Sequence, residues 1–247
     1  MMLQISGLTK RYDDDDAGLR HVVLDRIDLA VGEHDAVALV GTSGCGKTTL
    51  LRIVSGLERA SDGRLTLRGD PVTGPRRDVG VVFQEPRLMP WLTVRENVRL
   101  ALLHLASAVQ NAAIVDLLRD VGLADFAEAL PRQLSGGMAQ RVAIARALAR
   151  KPSVLLLDEP FSALDSFTRV KLQDHLGTLW KKSRFTLILV THDIDEAIIL
   201  SDRIIVMRGQ PGRIYRELSV DLTRPRRRTA PEFQTIKEEV IRALDLS

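Results

Sequence analysis

Cysteine is nearly absent from the 247 residues, with Cys45 the sole example. A disulfide framework and a zinc site built from several cysteines are both excluded, and a reducing cytoplasm is the compartment expected. Long hydrophobic runs are missing as well. No apolar segment approaches the ~18 residues that would suggest a membrane-spanning helix. The nearest, Leu100 to Val109, is broken by His104 and followed by Gln110 and Asn111. Met1 to Lys10 has no basic region followed by an apolar stretch, so no secretory signal is expected. If the protein acts at a membrane, another chain supplies the part that spans it. An excess of one charge is also lacking. The 35 basic and 32 acidic residues leave a net +3, which argues against a dedicated nucleic-acid binder. The pI near 9.2 leaves room for a local basic patch.

What is present is material for a core. Hydrophobic residues make up 45 %, which suits one large α/β domain or two closely joined lobes. Leu3 to Tyr12 and Val22 to Val31 are short, partly alternating segments that read as strands. Asp13 to Asp16, Ala17 and Gly18 separate them. Four adjacent acids repel one another, so a solvated hairpin tip is expected there rather than a metal site. Ala36 to Val40, Val154 to Leu157 and Thr186 to Val190 are apolar runs of the kind found in buried parallel strands, with helical segments between them. That alternation predicts an α/β fold with a parallel sheet covered on both faces. Residues from about Glu96 to Arg150 read as largely helical, punctuated by Pro131 and Gly136–Gly137. The stretch between Gln84 and Lys151 exceeds an ordinary crossover, so an inserted helical lobe is expected, approximately at 86–150. The tail from Arg224 to Ser247 is a basic run followed by a helix-like end.

Gly41-Thr42-Ser43-Gly44-Cys45-Gly46-Lys47-Thr48 fits the phosphate-loop pattern, between an apolar strand and a helix over Thr48 to Ser55. Its glycines let the backbone curl so that successive N–H groups face phosphate oxygens, and the helix adds its positive dipole end. Lys47 can place its ammonium on the β and γ phosphates, and the Thr48 hydroxyl can ligate Mg²⁺. In Val154-Leu155-Leu156-Leu157-Asp158-Glu159, an apolar strand delivers carboxylates to its C-terminal end, where open α/β sheets bind ligands. Asp158 can hold Mg²⁺ through a coordinated water, and Glu159 can orient and polarise the attacking water. An acidic pair after an apolar run is common by chance, and gains weight only beside the phosphate loop.

Leu134-Ser135-Gly136-Gly137-Met138-Ala139-Gln140-Arg141 resembles the signature sequence of ATP-binding-cassette (ABC) ATPases, with Met138 where Gln is more usual. Ser135 has the character of a helix N-cap, ahead of glycines that expose N–H groups at a positive helix end. The resemblance spans roughly Leu3 to Leu218. It implies a P-loop NTPase (RecA-like) core with an N-terminal antiparallel β region and an inserted helical lobe over residues 1–222, and a basic tail at 223–247. It further implies ATP and Mg²⁺ as cofactors. Tyr12 would stack on adenine, and residues Gly41 to Thr49, Cys45 and Thr49 included, would bind ATP. Ser135, Gly136, Gly137 and Met138 would complete the ATP site of the opposite subunit, so that two copies bury two nucleotides. Gln84, after Val79 to Phe83, would reach Mg²⁺ and the attacking water. Asp165, in Ser162-Ala163-Leu164-Asp165, would belong to the loop that crosses to the other subunit. His192 would be a switch contacting the γ-phosphate.

The single cassette without a span resembles bacterial importer subunits, whose partners are two permease subunits and, indirectly, an extracytoplasmic solute-binding protein. That places the chain peripherally on the cytoplasmic face of the inner membrane. Arg87 to Val98, Met138, Pro211-Gly212-Arg213-Ile214 and Leu222 to Arg226 resemble the nitrate, sulfonate and taurine importers, with aliphatic sulfonates favoured and nitrate, taurine and pyrimidine-like substrates left open because other subunits read the substrate. A soluble ABC protein of DNA repair or translation is the competitor from another class, but such proteins carry paired cassettes or a long coiled-coil insertion. A regulatory module without turnover is opposed by Glu159 and His192. Three readings stay two-sided. Trp91, with Leu88 and Met89, either anchors a permease helix or packs inside the helical lobe. The run Arg224-Pro225-Arg226-Arg227-Arg228 is either a solvated linker or a face for anionic lipid. Cys45 is either a redox-sensitive thiol or merely a small residue whose backbone matters.

Overall fold

A computed structural model of the chain describes residues 1–14 and 19–245. Asp15, Asp16, Ala17 and Gly18, the far half of the expected acidic tip, lie outside the described residues. The first elements are β1 (Leu3–Asp14), β2 (Leu19–Val31), β3 (Ala36–Gly41), α1 (Lys47–Val54), β4 (Asp62–Leu67), β5 (Asp70–Pro71) and β6 (Val79–Val82). Then come α2 (Val94–Arg99), α3 (Ser107–Asp120), α4 (Gly136–Leu148), β7 (Val154–Asp158) and α5 (Ser166–Ser183). The last are β8 (Thr186–Val190), α6 (Ile194–Leu200), β9 (Arg203–Arg208), β10 (Arg213–Ser219) and α7 (Pro231–Asp245). They gather into two compact units, Met1–Arg76 with Thr186–Ser247, and Arg77–Phe185.

In the first unit β1 pairs antiparallel with both β2 and β4. The register sets Leu3 opposite Val31 and Ile5 opposite Leu29, so the period of two puts all four on one face, and all four are buried. A second set of strands runs β10-β9-β3-β8, with β3 parallel to β8 and β9 and with β10 antiparallel to β9. Every residue of β3 and of β8 is buried, which is why both read as unbroken apolar runs rather than as alternations. α7 packs its Phe233, Val240 and Ala243 inward, at spacings of seven and three that share one helical face. Lys237 of α7 pairs with Asp195 of α6 at 2.7 Å.

Within the arginine run Arg224 and Arg226 depart from both expectations, while Arg227 stays exposed. Arg226 is neither a linker residue nor a lipid-facing one: its side chain is 1 % exposed. Its guanidinium donates to the carbonyls of Ser201, of Val220 at 3.0 Å and of Leu222 at 3.1 Å, and pairs with Asp202 at 3.2 Å. Arg224 donates to Leu200 O at 3.1 Å and shares the Asp202 carboxylate. The last carbonyls of a helix have no partner within it, and here a planar fork of donors from the tail meets the end of α6 and the strand connections beside it. The like charges do not repel the run from the protein because Asp202 and several carbonyls receive them. Burial pushes the Arg226 guanidinium down to about 10. That value still leaves it charged at neutral pH.

In the second unit β6 and β7 are parallel, with Val82 opposite Leu157. The connection between α3 and α4, expected as part of a largely helical stretch, forms only short 3₁₀ turns at Ala124–Phe126 and Pro131–Gln133. Gly122, with φ +66°, ends α3 in the left-handed region. Ser135 starts α4 as its N-cap, accepting from the Met138 N–H at 3.3 Å. A capping box of Thr93 and Glu96 starts α2. Asn97, fully buried, accepts from Met89 N at 2.8 Å and donates to the carbonyls of Met89, Leu92 and Thr93. One amide thus braces the Met89–Thr93 turn. It holds Trp91 outward with 73 % exposure, which removes the reading of Trp91 as a packed residue of the helical lobe.

Candidate functional site

The phosphate loop joins β3 to α1. Gly44 at φ +81° and Gly46 at φ +86° supply left-handed turns that a side chain would strain, and Gly46 is the N-cap of α1. Lys47, 7 % exposed, donates from Nζ to Gly41 O at 2.9 Å and Thr42 O at 3.0 Å, so its ammonium lies across the loop. Thr42, Ser43, Gly44 and Thr48 are exposed, whereas Cys45 is fully buried. A redox-sensing thiol needs access, so Cys45 fits the other reading, a small residue in a tight loop.

The loop is backed by the turn between β9 and β10. A Cβ added to Gly212 would lie 1.9 Å from Cys45 O, and one added to Gly41 would lie 2.4 Å from Met207 O. Gly212 also donates its N–H to Val23 O at 2.9 Å and accepts from Asp25 N at 3.0 Å. Gly212→Ala should therefore displace the loop. The expected result is a loss of ATP affinity on the order of tenfold or more, read by titration with a fluorescent nucleotide, together with a lowered melting temperature. Unchanged affinity would show that the loop yields at no cost. The sequence marked Gly212 only as part of a resemblance, and nothing local in it predicts a partner so distant in the chain.

β3 and β8 are neighbours in register, Leu39 opposite Val190, and Thr191 N donates to Leu39 O at 3.2 Å. His192 therefore stands at the same C-terminal sheet edge as the phosphate loop, and it is exposed. Its turn is fixed on both sides. Thr191 Oγ1 donates to buried Glu196 at 2.6 Å and accepts from Asp193 N at 3.0 Å, and Asp193 caps α6 by accepting from Glu196 N at 3.1 Å. The spacing Asp193-x-x-Glu196 is a helix-start pattern legible in the sequence, and could have flagged this brace. Tyr12 on β1 is 41 % exposed, with Lys10 Nζ 4.5 Å from its ring centre and its hydroxyl on Glu58. Burial and the Glu58 carboxylate raise the phenol's pKa, while a Thr49 hydrogen bond and the Arg52 charge on α1 oppose that rise. Glu58 carries no sequence signal for this role.

In the second unit Gln84 follows β6, Asp158 ends β7 and Glu159 comes directly after it, so all three belong to one C-terminal edge. Asp158 is 7 % exposed. Glu159 has φ +44°, an uncommon backbone state for a non-glycine residue that tends to be kept where function requires it. Gln84 Nε2 donates to Ser162 Oγ at 3.2 Å, and Ser162 Oγ donates to Glu159 O at 3.0 Å. The glutamine is thereby tied to the backbone of the strained glutamate through Ser162. Asp165 caps α5, accepting from Thr168 N at 3.0 Å and Phe167 N at 3.1 Å, and the Thr168 N–H and hydroxyl, followed by the Phe167 N–H, hold its carboxyl below the usual range. Ser135 and Gly136 are exposed, Met138 is half-buried, and Gly137 is buried where a Cβ would meet Thr168 Cγ2 at 2.4 Å. Among the described residues no three His, Cys, Asp or Glu side chains cluster as a metal site. Thr48 of the first unit carries a hydroxyl and Asp158 of the second a carboxylate, both oxygens of the kind Mg²⁺ accepts.

A glycine-rich loop running into a helix from the edge of parallel strands defines a P-loop NTPase. The ABC transporter family profile matches residues 24–162. The aliphatic sulfonates import ATP-binding protein SsuB 1 of Xanthomonas axonopodis pv. citri is 52 % identical, covering 99 % of this chain and 96 % of its own length. The SsuB of Bacillus subtilis is 47 % identical over 91 % of this chain and 88 % of its own. Among solved structures, the dimeric post-hydrolysis state of the ATP-binding cassette MJ0796 bound to ADP and Pi superposes with a TM-score of 0.79 at 33 % identity. It covers 90 % of this chain and 100 % of that one. The chain belongs to the ABC transporter family, as one of its ATP-hydrolysing cassettes.

Proposed function

We propose that this chain hydrolyses ATP to drive import of aliphatic sulfonates through a membrane permease. The reading is carried by the 52 % identity, over nearly the full length of both chains, to a protein named for that import. Two copies would sandwich two nucleotides, a reading supported by structural relatives that are themselves dimers. Two permease subunits would stand on the membrane side, with a solute-binding protein beyond them. The cassette would lie peripherally on the cytoplasmic face of the bacterial inner membrane. No helix among the described residues is long and apolar enough to cross a membrane, in keeping with a separate permease.

The residue roles follow the same reading. Tyr12 stacks on adenine. The N–H groups of Gly41 to Thr49 and the Lys47 ammonium hold the phosphates. Bound Mg²⁺ would supply charge neutralisation at the β and γ phosphates, with Thr48, Gln84 and Asp158 as its protein ligands directly or through water. Glu159 polarises the attacking water, and His192 contacts the γ-phosphate. Ser135, Gly136, Gly137 and Met138 serve the partner copy's nucleotide, and Asp165 belongs to the loop that crosses to it.

The test is reconstitution with a cognate permease and binding protein in liposomes. Ethanesulfonate on the binding protein is expected to stimulate ATP hydrolysis, and stimulation by nitrate alone would overturn the substrate reading. The contact with the permease is proposed for the apolar corner formed by exposed Met89 and Trp91 with half-buried Leu88. Arg146 steadies this corner by donating to Pro86 O at 2.8 Å and Arg87 O at 2.9 Å. Leu88→Asp is expected to remove most of the transport-coupled stimulation while leaving basal hydrolysis intact. Loss of basal hydrolysis and folding together would assign the corner a structural role instead.

A further inference from the structure

A cavity of about 330 Å³ in the second unit is lined by the start of α5, the middle of α4 and the turn after α3. Its ionisable wall residues are all basic: Arg141, Lys171 and His175. Each lacks a carboxylate hydrogen-bond or salt-bridge partner among the described residues. Arg141 reaches only the carbonyl of Val121, at 3.4 Å, and the Lys171 ammonium lies 4.2 Å from the centre of the Phe167 ring. His175 Nε2 is buried with no hydrogen-bond partner. The carboxylate that acts on the imidazole is that of Asp120, which is outside the cavity lining and engaged by Lys182 at 2.7 Å. Unpaired cations around a concave space attract an anion, and an arginine beside a lysine suits tetrahedral oxyanions in particular.

We propose that this cavity binds a compact tetrahedral oxyanion: phosphate, sulfate or the headgroup of a sulfonate. Arg141 and Lys171 are its direct contacts. The position gives the site a consequence for the proposed cycle. Thr168, at the start of α5, is the residue against which Gly137 packs, and Arg141 lies on the same helix as the signature glycines. An anion held between α4 and α5 would therefore bear on the turn proposed to face the partner copy's nucleotide.

The test uses the full chain with a non-hydrolysable ATP analogue and Mg²⁺ bound, so that the β and γ phosphate positions of the loop are filled before the anion is added. Phosphate, sulfate and ethanesulfonate are titrated separately while side-chain NMR signals of Arg141, Lys171 and His175 are followed. Saturable shifts at all three are expected. The His175 imidazole is expected to titrate at higher pH with anion bound. At present burial, followed by the Arg141 charge, holds its pKa down, and a bound anion offsets that charge; the Asp120 backbone and carboxylate act the opposite way in both states. Lys171→Gln, at an exposed position that should not disturb folding, is expected to weaken binding on the order of tenfold, the loss of one charge-assisted contact. Tightest binding of phosphate would point to the hydrolysis product or cellular phosphate as the source, and tightest binding of ethanesulfonate to an imported solute. Shifts that never saturate, or that persist unchanged in Lys171→Gln, would overturn the proposal. Because none of these readouts involves transport, a wrong substrate assignment would leave the result standing.

Discussion

Glu159→Gln is expected to lower ATP turnover by about 10²–10⁴-fold, the range typical of losing a positioned general base, while leaving ATP binding in place. The amide keeps the shape of the carboxylate and can occupy the same φ of +44°, so the turn after β7 should not move. What disappears is the ability to take a proton from water. Asp158, one residue earlier and more deeply buried at the strand end, has the different proposed role of holding Mg²⁺ through water. Its replacement by Asn should therefore weaken the Mg²⁺ dependence of binding rather than spare it. With hydrolysis blocked, ATP should accumulate between two copies, so size-exclusion chromatography with ATP and Mg²⁺ should show a dimer that the unmodified chain holds only briefly. Near-normal turnover in Glu159→Gln would remove the residue from the water-activating role, and loss of nucleotide affinity would mean that the strained turn had been disturbed instead.

Arg226→Met is expected to destabilise the fold by ~3–5 kcal/mol, the scale for removing one partner of a buried charge pair. Methionine fills similar length, so the loss would come from hydrogen bonds rather than from a void. The carbonyls of Ser201, Val220 and Leu222 would lose the donors that now satisfy them. Arg224 alone would remain on Asp202. Urea unfolding should show the shift, and Arg226→Lys should recover only part of it, because an ammonium cannot span the same fork of acceptors. Little pH dependence is expected from this group near neutrality. Its folded-state pKa of about 10 lies below that of a free guanidinium. The burial penalty on the charged form is thus fully present below about pH 10 and is relieved only as pH rises beyond it. Wild-type stability in Arg226→Met would return the tail to the status of a linker. Arg227→Gln, at an exposed position, is the control and should change stability little.

Much of the fold was legible because its signals are local and short-ranged. The apolar runs at Ala36, Val154 and Thr186 became β3, β7 and β8 because a strand buried on both faces has no polar side to alternate with. The phosphate loop could be read because glycine at two left-handed positions is a backbone requirement, independent of what surrounds it. Ser135 as a cap was legible for the same kind of reason, since the hydroxyl and the N–H it accepts lie three residues apart. The helical stretch was overread between α3 and α4, where leucine and alanine content suggests helix but Gly122 and Pro131 break the hydrogen-bond ladder.

What the sequence determined by itself is the chemistry that needs adjacent residues: a loop for phosphate, a strand ending in two carboxylates, a capped glycine turn, and through them the family. Tertiary structure decided the fate of groups whose partners are far away in the chain. A proline-punctuated run of arginines looks solvated, because like charges repel and nothing nearby offsets them. Within it the Arg226 side chain is buried because Asp202 and the carbonyls around the end of α6 converge on it from more than one element, while Arg227 stays exposed. Gly212 likewise looks like an ordinary turn glycine until folding brings the phosphate-loop carbonyl of Cys45 against it. In both cases the deciding contact is one that no local spacing encodes, and only the assembled fold supplies the partner.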